Sequence, residues 1–311
     1  MTFSFWVRFL LNKAIEIIAS LAVLVALSFL LLKALPGGPF DNEAALHPTV
    51  RAALTEQWGL QGSTVSQIAK YFGSLVRGDL GVSMAHPDLR ISTMIANGFS
   101  NTLSLNLISL VLVLVGAFAL SLLSQRYNGG LFEKSVDQLM ITFISLPSLF
   151  WGPLLIYLFG FYFNLLPTAF LTSPVNYILP VLTLSLRPMA SLVRLLKTSL
   201  KENYRLDYVR TAKAKGVEEG DVLLHHVLRN SMIPFLSYLG PLLVGLLSGS
   251  FLVEMLFAIP GLGGQFIMAL GDRDYTLIVG LTLFYGTLLI IVNSLIDILM
   301  RAVDPRIQEE M

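Results

Sequence analysis

The sequence predicts an all-α, polytopic membrane protein. Six transmembrane helices are expected, with an external helical insert after the first and a cytoplasmic loop between the fourth and fifth. Three observations carry this reading. Of 311 residues, 55% are hydrophobic and 13% are charged, against about 25% charged in ordinary soluble domains. The apolar residues gather into runs long enough for a hydrocarbon core of about 30 Å. Lys and Arg collect in alternate connections, as they do when cytoplasmic loops retain cations.

The elements follow in chain order. Met1 to Lys13 mixes aromatics with Arg8 and Lys13 and suits a lead-in at the inner interface. The first span runs from about Ala14 to Leu35. It is longer than a signal-peptide core of about 7–15 residues, and no small-x-small cleavage site follows it, so a retained helix is expected. The external insert occupies 36–100. Within it Pro36-Gly37-Gly38-Pro39 breaks the helix. Pro48–Trp58 reads as a helix closed by Gly59. Ser63–Val76 places Val65, Ile68, Phe72, Leu75 and Val76 on one stripe, and Gly78-Asp79-Leu80-Gly81 reads as a turn. The core from 101 to 311 holds five further spans. These are Asn101–Gln125, Leu139–Phe163 with a kink at Pro147 and Pro153, Tyr177–Leu196, Ile233–Ile259 and Leu277–Met300.

Cation placement orients the chain. Inside segments hold Arg8 and Lys13, then Arg126 and Lys134, then Arg301 and Arg306. The loop from 197 to 232 holds Lys197, Lys201, Arg205, Arg210, Lys213, Lys215 and Arg229. The two short outside connections hold none and Arg273. Both termini are therefore expected in the cytoplasm. Arg187 falls in the fourth span. It either faces protein or a water-filled path, or the span sits lower and Arg187 snorkels to the inner surface, the reading we take.

Several chemistries are excluded or disfavoured. With no cysteine there are no disulfides, thiolate metal sites or Cys nucleophiles. His47, His86, His225 and His226 lack metal-ligand spacing, so no metal site is expected. A net charge of +1 gives no basis for a nucleic-acid partner. No phosphate loop is present, and Gly261-Leu262-Gly263-Gly264 is not one, so ATP chemistry is not expected in this chain. Glu254 and Asp297 read as span-end anchors rather than proton carriers. Gly245 and Gly249 form a small-residue face suited to helix packing.

The basic loop contains two helix-compatible stretches, Asp207–Lys215 ended by Gly216 and Val222–Met232. By composition it is either a compact knob that a partner can approach closely or a solvated loop that only fixes topology. Its sequence resembles the cytoplasmic "EAA" loop of ABC importer permeases, in the branch for peptides, dipeptides and nickel. The resemblance rests on Tyr208-Val209-Arg210-Thr211-Ala212-Lys213-Ala214-Lys215-Gly216 and on His226-Val227-Leu228-Arg229-Asn230-Ser231-Met232-Ile233-Pro234. It extends to Pro36-Gly37-Gly38-Pro39, Gly78-Asp79-Leu80-Gly81-Val82-Ser83 and Ile178-Leu179-Pro180. It continues through Val253-Glu254-Met255-Leu256-Phe257, Pro260-Gly261-Leu262-Gly263, Arg273-Asp274-Tyr275 and Asp304-Pro305-Arg306. Where the wider family reads E-A-A this chain has Arg210, Thr211 and Ala212, and Leu228-Arg229 replaces a Leu-Pro.

The resemblance implies a permease subunit in a bacterial or archaeal cytoplasmic membrane. Its partners would be a second similar permease, two cytoplasmic ATPases that bind ATP and Mg, an external solute-binding protein, and lipid. This chain would hold no cofactor and would not be an enzyme. Tyr208 to Gly216 would seat in an ATPase groove. Glu254, Pro260, Gly261, Gly263 and Asp274 would belong to an external gate or binding-protein contact. An ion-gradient transporter or channel is the alternative, and would call for inverted repeats and mid-span acids. An intramembrane hydrolase would need a nucleophile–base pair.

Overall fold

The structure is a computed structural model that describes residues 3–34 and 63–303. The expected Pro48–Trp58 helix with its Gly59 cap, the Pro36–Pro39 turn and the Asp304-Pro305-Arg306 motif lie outside the described residues. Two compact units emerge, one from residues 1–101 and 260–294, the other from 102–259 and 295–311.

In the first unit, α1 (Phe3–Ala34) is joined by α2 (Thr64–Val76). Ser63 starts α2 because its hydroxyl accepts the Ser66 N–H at 3.3 Å. The face α2 turns inward differs from the expected stripe. Val65 is 76% exposed, whereas Gln67 is buried and Tyr71 meets Phe29 edge-on at 5.5 Å. Burial holds the Tyr71 phenol above its ordinary range, so it stays neutral.

Gly78 and Gly81 take φ of +75° and +84° in the turn that follows, where the Gly81 N–H donates to Asp79 Oδ1 at 3.0 Å. Helix α3 (Ile91–Arg126) begins ten residues before the expected Asn101. Its first turns carry Met94 and Asn101, which bond the 260–271 region. Gln265 Nε2 donates to Met94 O at 2.9 Å, and Asn101 Nδ2 donates to Pro260 O at 3.0 Å. Helix α3 therefore starts as part of the insert and runs on as a span.

The second unit is organised around one helix. After α3 come α4 (Leu131–Ser145), then α5 (Ser148–Leu155), which continues as a π-helical stretch over Ile156–Tyr162. A 3-10 turn at Pro174–Tyr177 leads into α6 (Ile178–Tyr204). Next come α7 (Asp207–Ala214), a π-helical turn at Val222–Val227, α8 (Leu228–Ser237) and α9 (Leu239–Leu256). Helix α6 packs on α4, α5, α8 and α9. Leu179, Leu192, Leu196 and Leu200 on it are fully buried.

Without a hydrophobic drive between helices in lipid, close packing has to hold such a core. Gly152 supplies it on α5, where a Cβ would collide with Leu256 Cδ2. On α9 only Gly249 of the expected pair does so, since its Cβ would stand 3.2 Å from Leu184 Cδ1. Gly245 is exposed with nothing within 4 Å of a built Cβ, so it packs against none of the described residues.

Three further spans differ from expectation. The third is broken rather than kinked. The segments Leu131–Ser145 and Leu149–Tyr162 meet at 111°, because Pro147 drives Leu146 into the extended region, with ψ of 139°. The fourth helix continues past Leu196 to Tyr204, so Lys197 and Lys201 belong to it and not to a loop. The expected fifth span divides at Tyr238, three residues before Pro241, which has no N–H for the carbonyl four residues back.

Among the described residues, four helical stretches are long and apolar enough to cross a membrane, namely Ile91–Arg126, Pro174–Tyr204, Leu239–Leu256 and Tyr275–Ile296. The bent pair counts as a fifth when its two halves are taken as one span, and Ile15–Leu31 is a shorter apolar helix. The chain is a multi-pass, helical membrane protein. Helices α10 (Leu262–Gly271) and α11 (Tyr275–Val303) complete it.

Candidate functional site

The expected knob is a two-turn helix, and its ends explain its shape. Gly216 has φ +78°, its N–H donates to Lys213 O at 3.0 Å, and the Val217 N–H donates to Ala212 O at 3.3 Å. This pair of bonds closes the C-terminus of α7 in a Schellman arrangement, which places a left-handed residue where glycine alone is unstrained. Asp207 stands in the first turn and Lys213 in the last, each matched to the helix dipole.

The helix has two faces. Val209 and Ala212 point inward and are buried at 1% and 7% exposure, in the same core cluster as Val222, Val227 and Leu200. The sequence offers Ala212 as a small residue that admits a partner, but it is enclosed by this chain. The outward residues are Arg210, Thr211, Lys213, Ala214, Lys215 and Gly216. Arg210 pairs with Asp207 at 3.4 Å. Lys213 pairs with Glu219 at 3.2 Å and stands 5.5 Å from the Tyr204 ring centre. Exposed pairs of this kind are worth roughly 0–1 kcal/mol, so they orient side chains more than they stabilise.

Tyr208 ties the knob to its supports. Its hydroxyl donates to Asn203 Oδ1 at 3.1 Å and accepts from Asn230 Nδ2 at 3.1 Å. Asn203 in turn donates to Ser199 O at 2.9 Å and to Ser231 Oγ at 3.2 Å. One polar network thus joins the C-terminal end of α6, the knob and α8. Asn203 does not stand out in the sequence. Its only signal there is an amide one turn before a basic helix.

A second cluster fixes α6 to α4. Lys201 Nζ lies 2.6 Å from Glu133 Oε1, and Lys197 Nζ lies 3.4 Å from it. Lys197 also pairs with Asp137, and Gly129 N donates to Glu133 Oε2 at 2.7 Å. The Lys197 and Glu133 side chains are 6% and 7% exposed. The sequence does contain a signal: Glu133 and Asp137 are four apart, as are Lys197 and Lys201, so each pair shares one helix face.

Of the five residues expected at an external gate, only Pro260 is exposed. Glu254, Gly261, Gly263 and Asp274 are buried. Asp274 is a bracing residue. It begins α11 by accepting the Leu277 N–H at 3.0 Å and the Thr276 hydroxyl at 2.9 Å. Its carboxylate also takes the Ser83 hydroxyl, the Met84 N–H at 3.1 Å and the Ala85 N–H at 3.4 Å. The motifs around Gly81 and Asp274 are therefore one structural unit. Arg187 lies nine residues into α6 and is exposed. Among the described residues no group of three or more His, Cys, Asp or Glu could hold a metal ion.

Residues 113–309 match the family described as "Binding-protein-dependent transport system inner membrane component". The chain is 33% identical to the dipeptide transport system permease protein DppB of Bacillus subtilis, over 97% of this chain and 98% of that one. It is 31% identical to the oligopeptide transport system permease protein OppB of Haemophilus influenzae, over 97% and 99%. It is 30% identical to OppB of Escherichia coli, again over 97% and 99%. The crystal structure of an amino acid ABC transporter with histidines shares the fold, with a TM-score of 0.57 at 14% identity, covering 68% of this chain and 94% of that one. These relatives are transport subunits, which favours the ATP-driven reading over an ion-gradient transporter. The chain belongs to the family of binding-protein-dependent transport system inner membrane components, and it is a permease subunit of an ABC importer.

Proposed function

We propose that this subunit imports peptides or similar small solutes, forming half of a translocation path with a second, similar permease. Two cytoplasmic ATPases supply the force and hold the ATP and Mg, so no cofactor resides in this chain. An external binding protein delivers the solute. Six spans complete the topology: the four long apolar stretches, the bent α4–α5 pair as one, and α1 as the sixth. Both termini then face the cytoplasm, residues 36–100 form the external insert, and 101–311 form the core.

The observation that carries the coupling role is the polar network from Tyr208 into α6 and α8. Hydrogen bonds at both of its ends let a push on α7 move two helices as one body. The outward residues from Arg210 to Gly216 form the docking face, with Val209 and Ala212 as its anchor. On the external side, Pro260 and its neighbours meet the binding protein, while Glu254, Gly261, Gly263 and Asp274 are buried and serve that contact only indirectly. The similarity to dipeptide and oligopeptide permeases supports the choice of solute.

The test is affinity purification of this chain from its native membrane. An ATPase and a second permease of similar size should accompany it, and the assembly should hydrolyse ATP faster when a peptide-loaded binding protein is added. Recovery without any nucleotide-hydrolysing chain would overturn the reading.

A further inference from the structure

Helix α6 presents an unusual surface for a membrane-crossing segment. Between Leu179 and Lys201 its exposed residues are Arg187, Arg194, Thr198 and Lys201, all of them polar. With partly exposed Ser191 they follow a spacing of four, three, four and three residues, which is one continuous helical stripe. Helix α3 shows the contrary pattern. Leu103, Leu107, Ile108, Val111 and Val115 are exposed there, as a lipid-facing helix requires.

Arg187 lies about 13 Å from the start of α6 and about 25 Å from its end at 1.5 Å per residue, beyond the reach of its own side chain to the far end. Snorkelling, the expectation from sequence, would therefore have to reach an inner surface well short of the end of α6. Neither Arg187 nor Arg194 forms an ion pair with a described residue. A second observation lies beside the stripe, a recess of about 280 Å³ lined by Asp137, Ile141, Arg194, Lys197, Thr198 and Lys201, five of the six polar or charged. An unpaired guanidinium within a span is tolerated where it meets water or an anion.

We propose that the Arg187–Arg194 stripe lines the water-filled passage and carries the carboxylate of the solute along it, from one guanidinium to the next about 10 Å away at that rise per residue. The carboxylate assignment rests on the peptide reading given above; the water-filled stripe does not.

Because the chain has no cysteine, single-cysteine variants of the assembled transporter give a direct test. Cysteines introduced at positions 187, 194 and 198, and at lipid-facing 111 and 115, are exposed to a charged, membrane-impermeant methanethiosulfonate on both membrane faces. Modification of this chain is then followed by mass. Reaction at 187 and 194 should be at least about tenfold faster than at 111, because apolar surroundings suppress the thiolate. A millimolar dipeptide, Ala-Ala, with ATP and the binding protein present, should slow it at 187. In a separate set, Arg187→Gln should lower dipeptide uptake about tenfold, as loss of a charge-assisted hydrogen bond does, and Arg187→Lys should restore most of it at equal membrane levels.

Slow reaction at 187 and 194, as at 111, would overturn the inference. So would undiminished dipeptide uptake by Arg187→Gln. If the unaltered transporter moves no dipeptide yet the thiol of the Arg187→Cys variant reacts fast, the solute assignment has failed and the water-filled stripe stands.

Discussion

Ala212 and Ala214 stand two positions apart on α7 and have opposite neighbours. Ala212 is enclosed with Val209 against the chain's own core, while Ala214 faces outward. A bulky residue therefore does different damage at each. Ala212→Trp overpacks the base of the knob and should cost about 1–3 kcal/mol of stability, read as a lower inactivation temperature of the purified assembly. Ala214→Trp should leave that temperature unchanged. It should reduce uptake about tenfold or more, a loss of ~1.4 kcal/mol or more in docking, measured in whole cells at matched membrane levels. Unchanged uptake in the Ala214 variant would remove α7 from the docking face. At Gly216 the penalty is in the backbone alone, since a Cβ there meets nothing within 4 Å. Gly216→Ala should cost about 1–2 kcal/mol for a left-handed residue and loosen the end of the knob, visible as faster proteolysis after Lys215.

At the scale of the element, α6 connects the most parts. One end takes the network from Tyr208, its flank is clamped to α4 by Glu133 and Asp137, and its exposed stripe is cationic. Lys197→Met would strip the clamp of its buried cation. Removing one partner of a buried pair costs about 3–5 kcal/mol. The lower end applies here because Asp137 is 45% exposed and Lys201 still serves Glu133. Thermal inactivation of the solubilised assembly measures this, and a change within error would show that the cluster contributes nothing.

The turn after α2 makes the same point with a different pairing. Asp274 takes hydrogen bonds from Ser83, Met84 and Ala85. Asp274→Ala leaves the buried Ser83 hydroxyl unmatched, at about 1–3 kcal/mol, while the more exposed Met84 and Ala85 N–H groups turn to water. Amide exchange at 83–86 should then accelerate, with α6 unaffected.

At the scale of the whole molecule, the proposed coupling through α7 requires that force reach this chain from partner ATPases. Liposomes holding this chain alone should show no uptake. Addition of the partner permease, both ATPases and loaded binding protein should give uptake that depends on ATP hydrolysis. Unaided transport by the isolated chain would be incompatible with coupling through α7.

The long apolar runs, the Ser63 helix start and the Gly216 helix end were all legible in the sequence, because hydropathy and capping depend on a few consecutive residues. So was the family resemblance, whose motifs are short and local. The break at Pro147 was legible as a proline but not as an angle, since the bend depends on what packs against each half, and the division at Tyr238 was not anticipated. Which way Ala212 faces, that Gly249 packs in this chain and Gly245 does not, that Lys197 is neutralised sixty residues back, and that Asp274 holds Ser83 were decided by tertiary structure alone. A one-dimensional pattern fixes what each helix can bury. Only the arrival of distant helices determines which of its faces is covered and which is left open to water.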